Sequence, residues 1–134
     1  MDKERLAIII KNIETNLNEI ERRFSKEDSF DDKIIFDAGC MSLFQAINRS
    51  IDLAEEVIMQ KRLEVPAGYG DSFIVLEKNK FIGKDLSEGM QKLVKYRNLL
   101  SHEYYNITPK DVKKLLGLIG YVDSFLDRIK KLLN

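Results

Sequence analysis

Apolar residues in this chain recur at steps of three and four, and that spacing confines most of it to helices with one buried stripe each. Leu6, Ile10, Ile13, Leu17, Ile20 and Phe24 alternate between steps of four and three, with Lys11, Glu14, Glu19, Glu21 and Arg22 on the other faces. Ser25 to Lys33 is polar and acid-rich and reads as a turn, with Asp31 or Asp32 placed to cap the next helix by accepting from its free amides. That helix, from about Ile34 to Arg62, carries Phe36, Cys40, Phe44, Ile47, Ile51, Ala54 and Ile58 on one stripe and Leu43, Ser50 and Val57 beside it. So wide a stripe predicts burial on two sides, against the domain's own core and against a second subunit. Gln45, Asn48, Arg49 and Asp52 interrupt it and read as solvated residues or as pairs along the helix surface.

Pro66, Gly68, Gly70 and Gly83 punctuate the middle of the chain as loop. Between them Ser72 to Glu77 predicts a brief helix capped by Asp71 or Ser72, with a strand as the competing assignment for so short an apolar run. Asp85 or Ser87 opens a further helix to about Ser101, with Leu86, Met90, Leu93, Val94, Arg97 and Leu100 on its inner side. Thr108-Pro109-Lys110-Asp111 is a helix start, with Thr as cap, Pro at the first helical position and an acid in the first turn. Val112, Leu115, Leu116, Ile119, Val122, Leu126, Ile129 and Leu133 extend it to the C-terminus, and Gly117 and Gly120 inside it predict close helix packing. The expected fold is all-α, an antiparallel bundle of four long helices plus a short one, as a single domain over residues 1–134.

Composition narrows function by exclusion. A chain of 134 residues buries roughly two thirds of its surface on folding, enough for one core. Lys plus Arg and Asp plus Glu both number 22, so no global basic field draws in nucleic acid, and any RNA must be bound locally. Cys40 is the one cysteine, which excludes an intramolecular disulfide framework and a cysteine-based zinc site and fits a reducing compartment. The start, Met1-Asp2-Lys3-Glu4-Arg5, has no leader-type apolar run, and no stretch reaches the ~20 apolar residues of a membrane span, so a soluble cytoplasmic protein is expected.

Chemistry concentrates in Arg97-Asn98-Leu99-Leu100-Ser101-His102-Glu103-Tyr104-Tyr105, which holds the single His. Arg97 falls on or beside a buried stripe, and an unpaired buried charge costs several kcal/mol, so its position implies a wet groove or an anionic partner. His102, with an ordinary pKa of roughly 6.5, suits proton transfer near neutrality, and the Arg fork can hold two phosphate oxygens. Together they fit metal-independent RNA cleavage, in which the 2′-hydroxyl attacks the adjacent phosphate while a base, an acid and a cation serve the transition state. One His per chain cannot readily be both base and acid, so a symmetric dimer that doubles the motif belongs to this reading. Five residues separate the two side chains by about 140° on an ideal helix, so they converge through the length of Arg, a loosened last turn or the dimer partner. The competing structural reading is a helix end satisfied by a cation and an imidazole near the negative end of its dipole. Ser101 beside His102 makes no hydrolase triad, because adjacent helical side chains diverge by about 100°. Gly68 and Gly70 lack the Lys-Ser/Thr ending of a phosphate loop.

Arg97-Asn98-x-x-x-His102-x-Tyr104 resembles the signature of HEPN domains, in the form carried by HepT ribonuclease toxins of the MntA/HepT toxin–antitoxin systems. The resemblance extends to Val65-Pro66-Ala67-Gly68-Tyr69 and to Ile107-Thr108-Pro109-Lys110-Asp111-Val112, and it covers nearly the whole chain. It implies a helical homodimer whose interface cleft cuts RNA with Arg97 and His102 of both subunits, without metal or other cofactor. Asn98 would orient the Arg or the phosphate. Tyr104 would be the hydroxyl that an MntA-like nucleotidyltransferase antitoxin AMPylates, placing an anionic nucleotide in the arginine clamp. The alternative function is a non-catalytic module that binds nucleotide or docks such a nucleotidyltransferase.

Overall fold

A computed structural model describes residues 1–101 and 106–134; His102, Glu103, Tyr104 and Tyr105 lie outside the described residues. The chain forms α1 (Lys3–Arg23), α2 (Lys33–Gln60), α3 (Asp71–Lys78), α4 (Lys84–Ser101), α5 (Pro109–Leu118) and α6 (Gly120–Lys130), with single 3₁₀ turns at Glu27–Phe30 and Lys131–Leu133. No strand occurs among the described residues, and residues 72–77 are helical. None of these helices is long and apolar enough to cross a membrane.

Helices α1 and α2 run antiparallel, and their polar rungs record the register. Asp2 N–H donates to Gln60 Oε1 at 2.9 Å, Arg5 pairs with Glu56, Asn16 Nδ2 donates to Gln45 Oε1 at 3.0 Å, and Ser42 Oγ donates to Glu19 Oε2 at 3.1 Å. Asp32 is the residue that caps α2, accepting from the amides of Ile34 and Ile35. The surface assignment for Gln45 and Arg49 is corrected: both reach across to Asn16 on α1, Arg49 Nη1 donating to Asn16 Oδ1 at 2.6 Å. Asn16 is itself buried, so these bonds offset the desolvation that its amide would otherwise suffer.

One core joins all six helices, from Leu6, Ile13, Leu43, Ile47 and Leu53 through Phe73, Leu76, Met90 and Leu93 to Leu115, Phe125 and Ile129. Two expected caps turn out otherwise. Ser72 is fully buried, and α3 instead starts from a turn in which Asp71 and Phe73 amides donate to the carbonyls of Gly68 and Gly70. Ser87 lies inside α4, buried, with its hydroxyl on Phe73 O at 3.2 Å, tying α4 to α3. Both α2 and α3 end in reversals that place a non-glycine residue at positive φ, Arg62 at 54° and Lys80 at 65°. The carbonyls left over are taken by Leu63 N–H on Ile58 O and by Phe81 N–H on Leu76 O, each 2.9 Å.

The final helix is not continuous. It divides at Ile119, where Val122 N–H closes a tight turn on Ile119 O at 2.9 Å, and the flanking Gly117 and Gly120 supply the low helix propensity that allows the break. Thr108 and Asp111 form the reciprocal cap at its start, and those bonds hold the Asp111 carboxyl below its ordinary pKa.

Close packing occurs at other glycines than expected. A Cβ on Gly117 or Gly120 would meet nothing within 4 Å, whereas one on Gly89 would stand 2.4–2.5 Å from the ring of Tyr121. Gly89→Ala should therefore lose about 1 kcal/mol, because overpacking costs ~1–3 kcal/mol against a propensity gain of ~1. Gly117→Ala should gain about 0.5 kcal/mol, and thermal melts of the two variants should move in opposite directions.

Candidate functional site

Arg97 sits on the last turn but one of α4, half-buried, where α4 crosses α2. Its stripe position, four residues after Leu93 and three before Leu100, aims the side chain at α2, and Leu93 and Leu100 themselves are buried. The guanidinium is held on two sides. Nε donates to Asn48 Oδ1 on α2 at 2.8 Å, and the Tyr69 ring, from the loop between α2 and α3, lies 4.3 Å from Cζ. Phe44, one turn before Asn48, adds a second ring at 5.8 Å. These partners are neutral, so they hold the cation in place, and among the described residues no carboxylate pairs with it. Among the described residues Nη1 and Nη2 make no hydrogen bond.

Asn48 is thus no solvated surface residue, and it and Tyr69 are the two contacts of Arg97 that residue spacing does not point to. Tyr69 stood in a recognised loop segment, yet nothing in its spacing pointed to a residue 28 positions on. Asn98, next to Arg97, is exposed, and the Ser101 hydroxyl donates back to Arg97 O at 3.0 Å in the final described turn of α4. His102 and Tyr104, expected at the same end, lie outside the described residues.

Phe44 also lines a groove of about 470 Å³ between the first half of α2 and the end of α4, together with Asp37, Cys40, Met41, Leu100 and Ser101. The groove therefore abuts the arginine through a shared ring. Cys40 is buried in its wall and in no disulfide. Ile34, in the first turn of α2, and Met41, about two turns on, are exposed along the same helix. A separate cleft of about 450 Å³ between α1 and α2 is lined by Arg5, Arg49, Asp52, Glu55 and Glu56, where Arg5 pairs with Glu56 and Arg49 donates to the neutral Asn16 amide, and Arg97 does not line it. There burial, with Asp52 adjacent, raises the pKa of Glu55. No group of three or more His, Cys, Asp or Glu side chains suited to a metal ion occurs among the described residues.

A half-buried guanidinium with a neutral acceptor on Nε and an aromatic face beneath it is a ready-made seat for a phosphate. Comparison with known proteins places this arrangement in context. The chain is 28% identical over 85 residues to the mRNA nuclease HepT of Shewanella oneidensis, a match covering 63% of this chain and 60% of that protein. In three dimensions it superposes on the tri-AMPylated Shewanella oneidensis HEPN toxin, solved in complex with MNT antitoxin, with a TM-score of 0.87, 25% identity and 98% of each chain covered. It shares its fold with YutE, a cytosolic protein of unknown function from Bacillus subtilis, at a TM-score of 0.85 and 19% identity over 99% of this chain and 91% of the other. The family model described as ribonuclease HepT-like matches residues 13–129, and the chain belongs to that family.

Proposed function

We propose that this protein is the ribonuclease toxin of a toxin–antitoxin pair, acting as a homodimer that cleaves RNA without metal and is silenced by a nucleotidyltransferase antitoxin. The observation that carries the reading is the Arg97 seat: a cation pinned through Nε by Asn48 and stacked on Tyr69, beside a groove at the end of α4. Family membership over residues 13–129 supports it, as do the nuclease and antitoxin-bound toxin among the relatives.

In the proposed reaction Arg97 takes two non-bridging oxygens of the scissile phosphate through Nη1 and Nη2 and stabilises the charge that builds up as the 2′-oxygen attacks. One His102 of the dimer accepts the 2′-hydroxyl proton and the other protonates the departing 5′-oxygen, so each copy supplies one half of the acid–base pair. Asn98 helps to orient the arginine or the phosphate. AMP placed on the Tyr104 hydroxyl by the antitoxin fills the same seat with a nucleotide phosphate and excludes RNA by charge and volume.

Purified protein incubated with RNA in excess chelator tests this directly. Wild type should cleave and His102→Ala should lose at least ~100-fold, the usual worth of a general acid or base. Coexpression with the neighbouring antitoxin should add mass to wild type and none to Tyr104→Phe. No cleavage by wild type, with the mass increase retained, would favour the docking-module alternative.

A further inference from the structure

We propose that Asn48 is a positioning residue for the arginine clamp, an assignment that rests on the ribonuclease reading above. Its amide oxygen sits 2.8 Å from Arg97 Nε, across 49 positions of sequence and on a different helix. Nε–H is a donor only, so the amide must present its oxygen to it, and the orientation of the Asn48 side chain follows from chemistry. A guanidinium can grip a phosphate through either of two edges, one using Nε with a terminal nitrogen and the other using both terminal nitrogens. Asn48 removes the first choice. Cζ also lies over the Tyr69 ring, 4.3 Å from its centroid, so a second contact restrains the guanidinium and the Nη1/Nη2 edge is the one left to a phosphate.

Asparagine suits this task where aspartate does not. A carboxylate at position 48 would accept the same hydrogen bond yet would neutralise the guanidinium and compete with the phosphate for it. A neutral acceptor orients the cation and leaves its full charge for the substrate. Phe44, one turn earlier on α2, flanks the same guanidinium, so α2 contributes both a polar and an aromatic wall.

The two substitutions at this position should split the kinetics in opposite ways. Asn48→Ala leaves the charge and the Tyr69 stack but frees the rotation, so kcat for an RNA oligonucleotide should fall roughly tenfold or more with KM within about twofold. Asn48→Asp retains the geometry but cancels the charge, so KM should rise roughly tenfold. A residue that merely packed α2 against α4 would move both constants in step with the melting temperature in either variant. Wild-type kcat in Asn48→Ala, or the same kinetic change in both variants, would overturn the proposal.

A second measurement needs no activity. The Nε–Hε NMR signal of Arg97, identified by its loss in Arg97→Lys, should exchange slowly with water in wild type and Asn48→Asp and at least tenfold faster in Asn48→Ala. Equal exchange in wild type and Asn48→Ala would overturn the clamp by itself. Failure of wild type to cut RNA would count against the ribonuclease reading, which keeps the two outcomes apart.

Discussion

Arg97→Ala should lower kcat/KM for RNA cleavage by about 10³-fold, the range in which removal of a preorganised transition-state donor or an arginine finger falls. The same change should cost little stability. Arg97 is half-buried, its Nε bond is to a neutral amide, and its two ring contacts are each worth only about 0.5–1 kcal/mol at a partly exposed site. A melting temperature within a few degrees of wild type, alongside near-complete loss of cleavage, would separate a role in the reaction from one in folding. Arg97→Lys sharpens the point. Lysine retains the charge and reaches the same region, but an ammonium has no planar fork and cannot donate to Asn48 while presenting two parallel donors to a phosphate. It should therefore recover no more than about tenfold of the loss. Full activity in Arg97→Lys would mean that the site needs only a positive charge, and the Asn48 clamp would then have no function to serve. Wild-type cleavage by Arg97→Ala would remove the proposed site altogether.

Much of this scaffold was legible in residue spacing because each helix is stabilised by its own stripe. Leu6, Ile10, Ile13 and Ile20 on α1 and Met90, Leu93 and Leu100 on α4 are buried as their steps of three and four required, with Leu17 and Val94 partly so, and Thr108-Pro109 marks the start of α5 at the expected residue. Periodicity reports which face is inward, but it is silent on which face of another helix it meets. The pairing of Asn48 with Arg97, and of Arg49 and Gln45 with Asn16, is set by how the helices cross, so those polar residues looked like surface. The glycines failed for a related reason. Gly117 and Gly120 share a face spacing that suggests helix contact, yet the chain uses them to break the helix at Ile119, while Gly89 takes the close approach because Tyr121 happens to pack on it. Arg97 itself was correctly placed beside a buried stripe, and its described partners are an amide and two rings where an anionic partner had been one of two options. An arginine on an inner face signals that something must accept it; the identity of the acceptor lies in the tertiary contact.

The largest loss of stability should come from Phe73→Ala, at about 3–5 kcal/mol. Phe73 and Phe125 are both 0% exposed and meet edge to face with ring centroids 5.2 Å apart, joining α3 to α6. Truncation removes the transfer free energy of the ring and leaves a cavity that rigid neighbours on two helices close only in part. Total stability for a domain of this size is about 5–15 kcal/mol, so the variant retains a small margin, and its melting temperature should drop by about 10–20 °C. Urea unfolding should show a lower midpoint with an unchanged slope, because the same surface is exposed. Phe125→Ala should cost a similar amount, and the double variant less than the two together, since both rings border one space. The effect should also reach the site. Tyr69 lies two residues before α3, and α3 is anchored at its start by the Phe73 ring and by the bond from Ser87 to the Phe73 carbonyl. Loosening that anchor loosens the aromatic face beneath Arg97, so cleavage by Phe73→Ala should fall even at temperatures where the protein is fully folded, though by less than in Asn48→Ala, because the Nε bond to α2 survives. If Phe73→Ala instead retained wild-type cleavage well below its melting point, the Tyr69 stack would be an incidental contact, and the hydrogen bond from Asn48 alone would hold the arginine in register.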